Sequence, residues 1–372
     1  MSREEMKTRM AKFQYFKSQD LRKYILRCFA YWGIPSSDAQ IATEILLSAD
    51  KRGIDSHGIG CLFSLYGSRL KSGAINPTAS VTVLRETAST LTLDGGNGLG
   101  HPISYKAMKM VIDKARLNSL AFATVRNSNH FGIAGYYAMM ALPNNMIGIC
   151  MTNSGPLMAP TRGRKAMLGS NPIAVAVPAR NELPFVLDMA TSIVPLGRVE
   201  SYEREHRPIP TGWGIDADGM PTNDPARVAN GGALLPLGGS EETKGYKGYG
   251  LAMVVDILSG ILAGAAFGDK AYSDGENAPA NIGHFFGAIS IDAFRDSVSF
   301  KMEMDDLINR LKNSPKAAGE ERILIHGEKE FEQAARSELE GIRLSQTTVE
   351  LLHAGGKDFG IPFICVPIRE SD

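Results

Sequence analysis

Apolar residues recur at helical spacing from Asp20 to Trp32, where Leu21, Tyr24, Ile25, Cys28 and Phe29 share one face and Gly33 and Pro35 end the element. Ser37-x-x-Gln40 reads as a capping box opening the next helix, with Ile41, Ile45, Leu46 and Ala49 on its apolar face. That helix runs into RGIDSHG (52–58), a polar, glycine-punctuated segment, and a further helix from Leu62 to Lys71 ends at Gly73. After Pro77 the period drops to two, so 81–85 and 90–94 read as a strand pair across a short turn. A glycine-rich loop, GGNGLGH (95–101), feeds a helix from about Pro102 to Leu117. Strands are predicted at 121–125, 147–152, 173–177, 185–188 and 286–291, with one clear helix (Gly132 to Leu142) between Leu120 and Asp188. Strands outnumber helices there, so regular βαβ alternation is missing and a mixed α/β fold is expected. Arg198 to Gly245 is rich in Gly and Pro and reads as a long irregular excursion. A helix from Gly248 to Ala265 and a charged, helix-rich C-terminal third follow, and no repeat of 20–50 residues is visible.

Composition narrows the class. At about 150 residues per domain, 372 residues make two domains or one elaborate one. Hydrophobic residues at 44% and charged residues at 22% are the balance of an ordinary globular protein. Lys+Arg and Asp+Glu are 40 each, so no global positive field favours nucleic acid. The nearest approach to a membrane span, Leu251 to Phe267, carries Asp256 and scattered Gly and reads as a buried helix. The four cysteines, Cys28, Cys61, Cys150 and Cys365, are too few and too dispersed for a metal knuckle or a disulfide framework. The N-terminus lacks an apolar h-region, which makes a reducing cytoplasm the default expectation.

The motifs that are missing exclude the usual nucleotide sites. GGNGLG fails the G-x-G-x-x-G spacing, as do the glycines at 58–60 and in KGYKGYG (244–250), and no Walker A, HExxH or G-x-S-x-G occurs. Any nucleotide site must be built some other way.

Chemistry-bearing residues nevertheless gather in a few segments. His57 lies in DSHG on a polar turn, where an imidazole suits proton transfer at neutral pH or simply caps a helix. Ser56 beside it either fixes the ring or touches substrate, or is a plain N-cap. His130 lies in RNSNHFG (126–132), directly after a predicted strand, where a run of donors and acceptors that includes Asn129 suits a ligand; the plainer alternative is an Asx-rich helix cap. His101 is weaker, and His284 reads as a packed histidine. Asp55, His57, His101 and His130 are chemically capable metal ligands, but no pair has a diagnostic spacing, and no metal is expected. MTNSGP (151–156), GSNP (169–172) and DMATS (188–192) place small, hydroxylated residues at strand ends, which suits phosphates and riboses. Lys247 precedes an apolar helix and either reaches a phosphate or is an ordinary solvated lysine.

In order along the chain, RGIDSHG, VRNSNHFGIAGYYAMMA, MTNSGP, LGSNPIAVAVP, FVLDMATS, KGYKGYGLAMVVDIL and NIGHFFGAISID strongly resemble the malate/L-lactate dehydrogenase family that is unrelated to the Rossmann-type enzymes of those names. The resemblance covers about residues 20 to 345. It implies an α+β fold with a non-Rossmann nicotinamide-binding domain on a largely antiparallel sheet, expected over 79–299, and a mainly helical domain from 1–78 with 300–372. It also implies a homodimer with NAD or NADP as cofactor. His57 and His130 become its two acid/base candidates, His130 slightly favoured, with Ser56 beside the first. Cofactor contacts are implied at Ser154, Asp188, Met189, Ala190, Tyr246, Lys247, His326, Gly327 and Glu328.

Two departures bear on the substrate. Family members usually read SHGxxR, where the arginine can grip a carboxylate in a bidentate fork; here the position is Cys61. Arg52, Arg126 and Lys165 are the candidates to replace that cation, and Arg52 and Asn129 are the residues assigned to substrate. His101 also stands where a Gln is common. The function expected is hydride transfer between nicotinamide and a small 2-hydroxy or 2-oxo acid of the malate or lactate kind. The alternatives are a cyclic imine or diketo-sugar-acid reductase of the same family, a metal-dependent hydrolase, and a non-catalytic metabolite-binding protein.

Overall fold

The computed structural model describes residues 13–272, 275 and 277–371. The N-terminal stretch read for a secretory signal lies, through residue 12, outside the described residues. The chain forms two compact units, one of residues up to 78 with 327 onward, the other of 79–326.

The first unit opens with β1 (Phe13–Phe16), α1 (Ser18–Tyr31), α2 (Ser36–Lys51) and the short α3 (Ser68–Lys71). α1 buries the face its periodicity predicts: Leu21, Tyr24, Ile25, Cys28 and Phe29. α2 buries Ile45, Leu46 and Ala49 but does not start from a Ser37–Gln40 capping box. Pro35, at φ −55° and ψ 142°, is already the extended residue before the helix, so Ser37 falls inside the first turn and makes no cap. A 3₁₀ turn (Asp55–His57) and a π-helical turn (Leu62–Gly67) separate α2 from α3.

The second unit runs β2 (Thr82–Glu86), β3 (Thr90–Asp94), α4 (Gly100–Asn118), β4 (Leu120–Ser128), α5 (Ala134–Met139), β5 (Met146–Thr152), β6 (Ile173–Val177) and β7 (Phe185–Met189). The Gly/Pro-rich excursion then contains α6 (Leu196–Arg204), α7 (Pro225–Ala229) and three two-residue strands, β8 (Gly214–Ile215), β9 (Pro221–Thr222) and β10 (Ala233–Leu234). α8 (Tyr246–Asp256), β11 (Ile282–Ser290) and α9 (Ser297–Lys312) complete it. Its main sheet has the order β2-β3-β4-β11-β5-β6-β7, and every neighbouring pair is antiparallel except β3–β4. α4 buries Ile103, Ala107, Met108 and Val111 against the centre of that sheet.

Two readings change here. α9, expected with the helical domain, belongs to the sheet unit: Asp305 accepts backbone hydrogen bonds from Arg180, Asn181 and Glu182, and Lys312 pairs with Glu182 at 3.0 Å. Leu251–Phe267 is not a buried helix. It is α8 continued by a π turn (Ile257–Ile261), and it is apolar on both sides. Ala252, Val255 and Ser259 point inward, while Leu251, Val254, Ile257, Ile261 and Leu262 are 39–58% exposed. Gly283 makes the inner packing possible, since a Cβ there would sit 1.9 Å from the Ser259 carbonyl oxygen. No helix of the described residues is long and apolar enough to cross a membrane.

The chain then returns to the first unit through α10 (Glu328–Glu340), β12 (Ile342–Ser345), α11 (Gln346–Asp358) and β13 (Arg369–Ser371). β1 lies between β12 and β13 in a three-stranded antiparallel sheet. Sequence pattern alone predicts no strand there, because segments this short show too little alternation and their partners lie at opposite ends of the chain.

Candidate active site

Strand register collects the candidate residues of the second unit at one end of its sheet. His284 of β11 stands opposite Val125 of β4 on one side and Thr152 of β5 on the other. The ends of β4 and β5, leading to His130 and Ser154, therefore emerge together. β6 begins at that end, Ile173 opposite Met151, and β7 finishes there, Met189 opposite Ile173. Asp94 at the end of β3 lies beside Arg126.

The His130 segment is held from several sides. Between Ile282 and His284 the register to β4 slips, two residues of β4 (Arg126 and Asn127) standing opposite one of β11 (Gly283). Asn127 absorbs the extra residue at φ 50°, a conformation asparagine tolerates. The glycine-rich loop then closes on this bulge. Gly95 and Asn97 donate backbone hydrogen bonds to the Arg126 and Asn127 carbonyls at 2.9 and 2.8 Å. Asn129, fully buried, donates from Nδ2 to Gly98 O at 2.9 Å. Gly100 has no room for a side chain beneath the Asn129 and His130 carbonyls. The loop that fails the dinucleotide spacing thus serves to seat the histidine segment. His101 is fully buried in the first turn of α4.

A second group is tied by short bonds. Ser154 Oγ accepts from the Ser170 backbone N–H at 3.1 Å, and Ser154 N–H donates to Asn171 Oδ1 at 3.2 Å. Thr191 N–H donates to Ser170 O, and Leu237 N–H donates to Thr191 O, both at 2.8 Å. Gly248, next to Lys247, packs so tightly on Leu237 that a Cβ would lie 2.3 Å from its carbonyl oxygen. Ser154, Ala190 and Lys247 are therefore neighbours of one continuous hydrogen-bonded and packed chain. Asp188 accepts from Gly135 N–H at 2.7 Å, at the start of α5. Tyr246 and Lys247 are exposed at the start of α8. His326 belongs to this unit, its carbonyl accepting from Val186 N–H at 3.0 Å and its ring 5.6 Å from Phe185.

The first unit holds the other candidates. His57 is half-buried, burial lowers its pKa, and its Nδ1 lies 2.8 Å from Ser56 Oγ. Beneath the turn, the buried Asp50 accepts from Ile59 N–H at 2.8 Å, and desolvation raises its pKa well above the carboxylate range. Gly58 is required there, since a Cβ would collide with that carboxylate. Cys61 donates to Ser56 O at 3.2 Å, and burial pushes its thiol up to about 12, so it is neutral. Arg52 lies over the Phe331 ring at 4.6 Å. The other two candidate cations are engaged in the second unit, Arg126 with Asp94 at 2.9 Å and Lys165 with Asp269 at 3.3 Å. Gly327, at φ 92°, caps α10, and Glu328 is its first residue.

Residues 16–353 match the malate/L-lactate dehydrogenase family. The chain belongs to that family. It is 48% identical over 313 residues to a malate dehydrogenase of Pyrococcus abyssi, covering 84% of this chain and 86% of the relative. It is 40% identical over 313 residues to an L-sulfolactate dehydrogenase of Methanocaldococcus jannaschii, covering 84% and 88%. The solved structure of malate dehydrogenase from Pyrococcus horikoshii superposes with a TM-score of 0.87 at 41% identity, covering 95% and 97%. The fold is that of these dehydrogenases. Membership supports a dehydrogenase acting on a CH–OH group and implies a nicotinamide cofactor; it sets aside the hydrolase reading.

Sequence reasoning missed the supports of these segments. Asp50 carries no motif in the sequence, Asn153 enters only as part of the MTNSGP strand end, and Asp256 only as the charge within an apolar stretch. Asn153 donates to Ala266 O at 2.7 Å and accepts from Gly283 N–H at 2.9 Å, while Asp256 accepts from Gly268 N–H at 2.7 Å. The partners of Asn153 lie 113 and 130 residues away, and no local pattern marks any of these contacts.

Proposed function

We propose that the protein is an NAD(P)-dependent oxidoreductase of small 2-hydroxy and 2-oxo acids, malate-like in substrate, with a histidine as general acid/base. The observation that carries this reading is the gathering of His130, Ser154 and the Asp188–Ala190 segment at one sheet end. The donor set suits a dinucleotide: two serine hydroxyls, backbone N–H groups, the Asp188 carboxylate for hydroxyl donors, and the exposed Lys247 ammonium for phosphate. Bound nicotinamide would supply hydride chemistry at its C4. Ser154, Asp188, Met189, Ala190, Tyr246, Lys247 and His326 would hold it, joined by Gly327 and Glu328.

His130 takes the substrate hydroxyl proton in oxidation and returns it in reduction, from a segment too firmly seated to wander. Asn129 keeps that segment in register and borders the substrate. His57, hydrogen-bonded to Ser56, is the second candidate for the same proton. A lowered pKa keeps its ring neutral at pH 7, the form of a base. Arg52 is the cation assigned to the substrate carboxylate, because Cys61 is neutral. The protein acts in the cytoplasm as a homodimer, a second copy covering the exposed apolar side of α8 and its π turn.

Acid/base assistance is worth about 10² to 10⁴ in rate. His130→Ala should lower kcat by that order with cofactor affinity nearly intact; unchanged turnover would remove His130 from the mechanism. His57→Ala, run in parallel, ranks the two. Cofactor choice is read from thermal stability with NADH and NADPH titrated separately. At a hundredfold its dissociation constant, the true cofactor stabilises the fold by about 2.7 kcal/mol. No shift with either would overturn the reading.

A further inference from the structure

His284 is fully buried in β11, and both ring nitrogens are engaged. Nδ1 lies 2.7 Å from Thr152 Oγ1, and Nε2 lies 2.7 Å from Ser128 Oγ. Proton counting sets the direction of each bond. Thr152 has one hydroxyl hydrogen, and it points to the carbonyls of Asn153 and Gly283, each 3.0 Å away. Directing that hydrogen at the two carbonyls leaves the Thr152 oxygen to accept from the imidazole, an assignment that puts the ring hydrogen on Nδ1. Burial pushes the ring's pKa down to about 3, the Asn129 backbone offsetting part of that. The ring is neutral at pH 7, and in that tautomer Nε2 accepts from the Ser128 hydroxyl. Phe131 lies flat on the ring, with centroids 4.6 Å apart and planes 3° from parallel.

Ser128 and Phe131 bracket Asn129 and His130 in the chain, so one imidazole grips both ends of that segment. We propose that His284 is a positioning residue for His130: a neutral imidazole, hydrogen-bonded to Ser128 and stacked on Phe131, that fixes where the acid/base histidine stands. The proposal rests on the reading of His130 given above, and goes beyond it by naming what aims that side chain.

Two substitutions divide the grip. Asparagine reaches about as far as Nδ1 and keeps the Thr152 bond but not the Ser128 bond, whereas glutamine reaches about as far as Nε2 and can accept from Ser128. Ser128→Ala removes the donor and leaves the ring. The readouts, on full-length protein, are oxaloacetate reduction with saturating NADH or NADPH, thermal stability, and the NMR titration of His130 in histidine-labelled protein. His284→Asn should lower kcat about a hundredfold, as a misplacement of about 1 Å does, and shift the His130 resonance. His284→Gln should retain more of the rate than His284→Asn, and Ser128→Ala should fall between His284→Asn and the unaltered protein. In a His130→Ala background, His284→Asn should cost no further rate.

An equal loss from His284→Asn with and without His130 overturns the proposal. So does a folded variant with reduced thermal stability, normal kcat and an unmoved His130 resonance. If His130→Ala itself turns over normally, the catalytic reading of His130 fails. The NMR arm then still decides whether His284 positions that ring.

Discussion

Gly100 offers the sharpest test of the view that packing beneath the His130 segment governs turnover. It opens α4, where helix propensity alone favours alanine over glycine by about 1 kcal/mol. A Cβ there would lie 2.1 Å from Asn129 O and 2.4 Å from His130 O. A carbon and a carbonyl oxygen settle no closer than about 3.3 Å, so the two carbonyls must retreat by about 1 Å. Overpacking of this kind costs about 1–3 kcal/mol, which the propensity gain partly offsets. Stability should therefore fall by no more than about 2 kcal/mol. Catalysis has no such offset, and a displacement of about 1 Å costs about 10² in rate. Gly100→Ala should thus fold, bind cofactor normally, and lose about a hundredfold in kcat. Gly197→Ala, where a Cβ meets nothing within 4 Å, is the control and should leave kcat unchanged. Steady-state kinetics at saturating cofactor, cofactor titration by fluorescence and urea unfolding together supply the three numbers. A folded Gly100→Ala protein with kcat within about twofold of the unaltered protein would refute the reasoning.

The remaining predictions concern pH, charge and assembly. His284 is lowered from 6.5 to about 3 in the folded state, so its stability contribution is full above pH 6.5 and is lost as pH falls toward 3. The slope is about 1.4 kcal/mol per pH unit, or about 2 kcal/mol between pH 6.5 and 5. Asp50 and Asp256, both raised by burial, act in the opposite sense, favouring the fold at low pH and losing that contribution as pH rises through their folded values. The difference in acid sensitivity between the unaltered protein and His284→Gln isolates the histidine, and equal pH slopes in urea unfolding would count against it. Lys247→Met should weaken cofactor binding about tenfold, the worth of a charge-assisted hydrogen bond. That loss should shrink in 1 M salt, where screening acts within about 3 Å; titrations at two ionic strengths check it. Ile261→Glu places a charge on the exposed apolar face and should convert the proposed homodimer, in light scattering, to a species of 40.1 kDa. A dimer of unchanged stability would move the interface elsewhere.

The periodicities carry much of this fold, and the reason they stop where they do is physical. The buried face of α1 and the strands β2 to β7 were legible because each is a local pattern longer than a turn. The family motifs named the segments that carry His57, His130, Ser154, Asp188 and Lys247. What local pattern cannot carry is strand order. His284 meets Ser128 and Thr152 across separations of 156 and 132 residues, and only the insertion of β11 between β4 and β5 brings the three together. Even strand order is not enough. A β-strand turns alternate residues to opposite faces, so a slip of one position would aim Ser128 away from the imidazole. The bulge between Val125 and Ser128 makes that correction, and it depends on Asn127 accepting φ 50°. The RNSNH segment thus carries more than a ligand. Its first asparagine sets the geometry that lets its serine reach His284, its second locks onto the glycine-rich loop, and the histidine that follows stands where those two leave it. A β-branched residue at position 127 could not hold that backbone, and the grip on His130 would be lost without any change in the groups that make it.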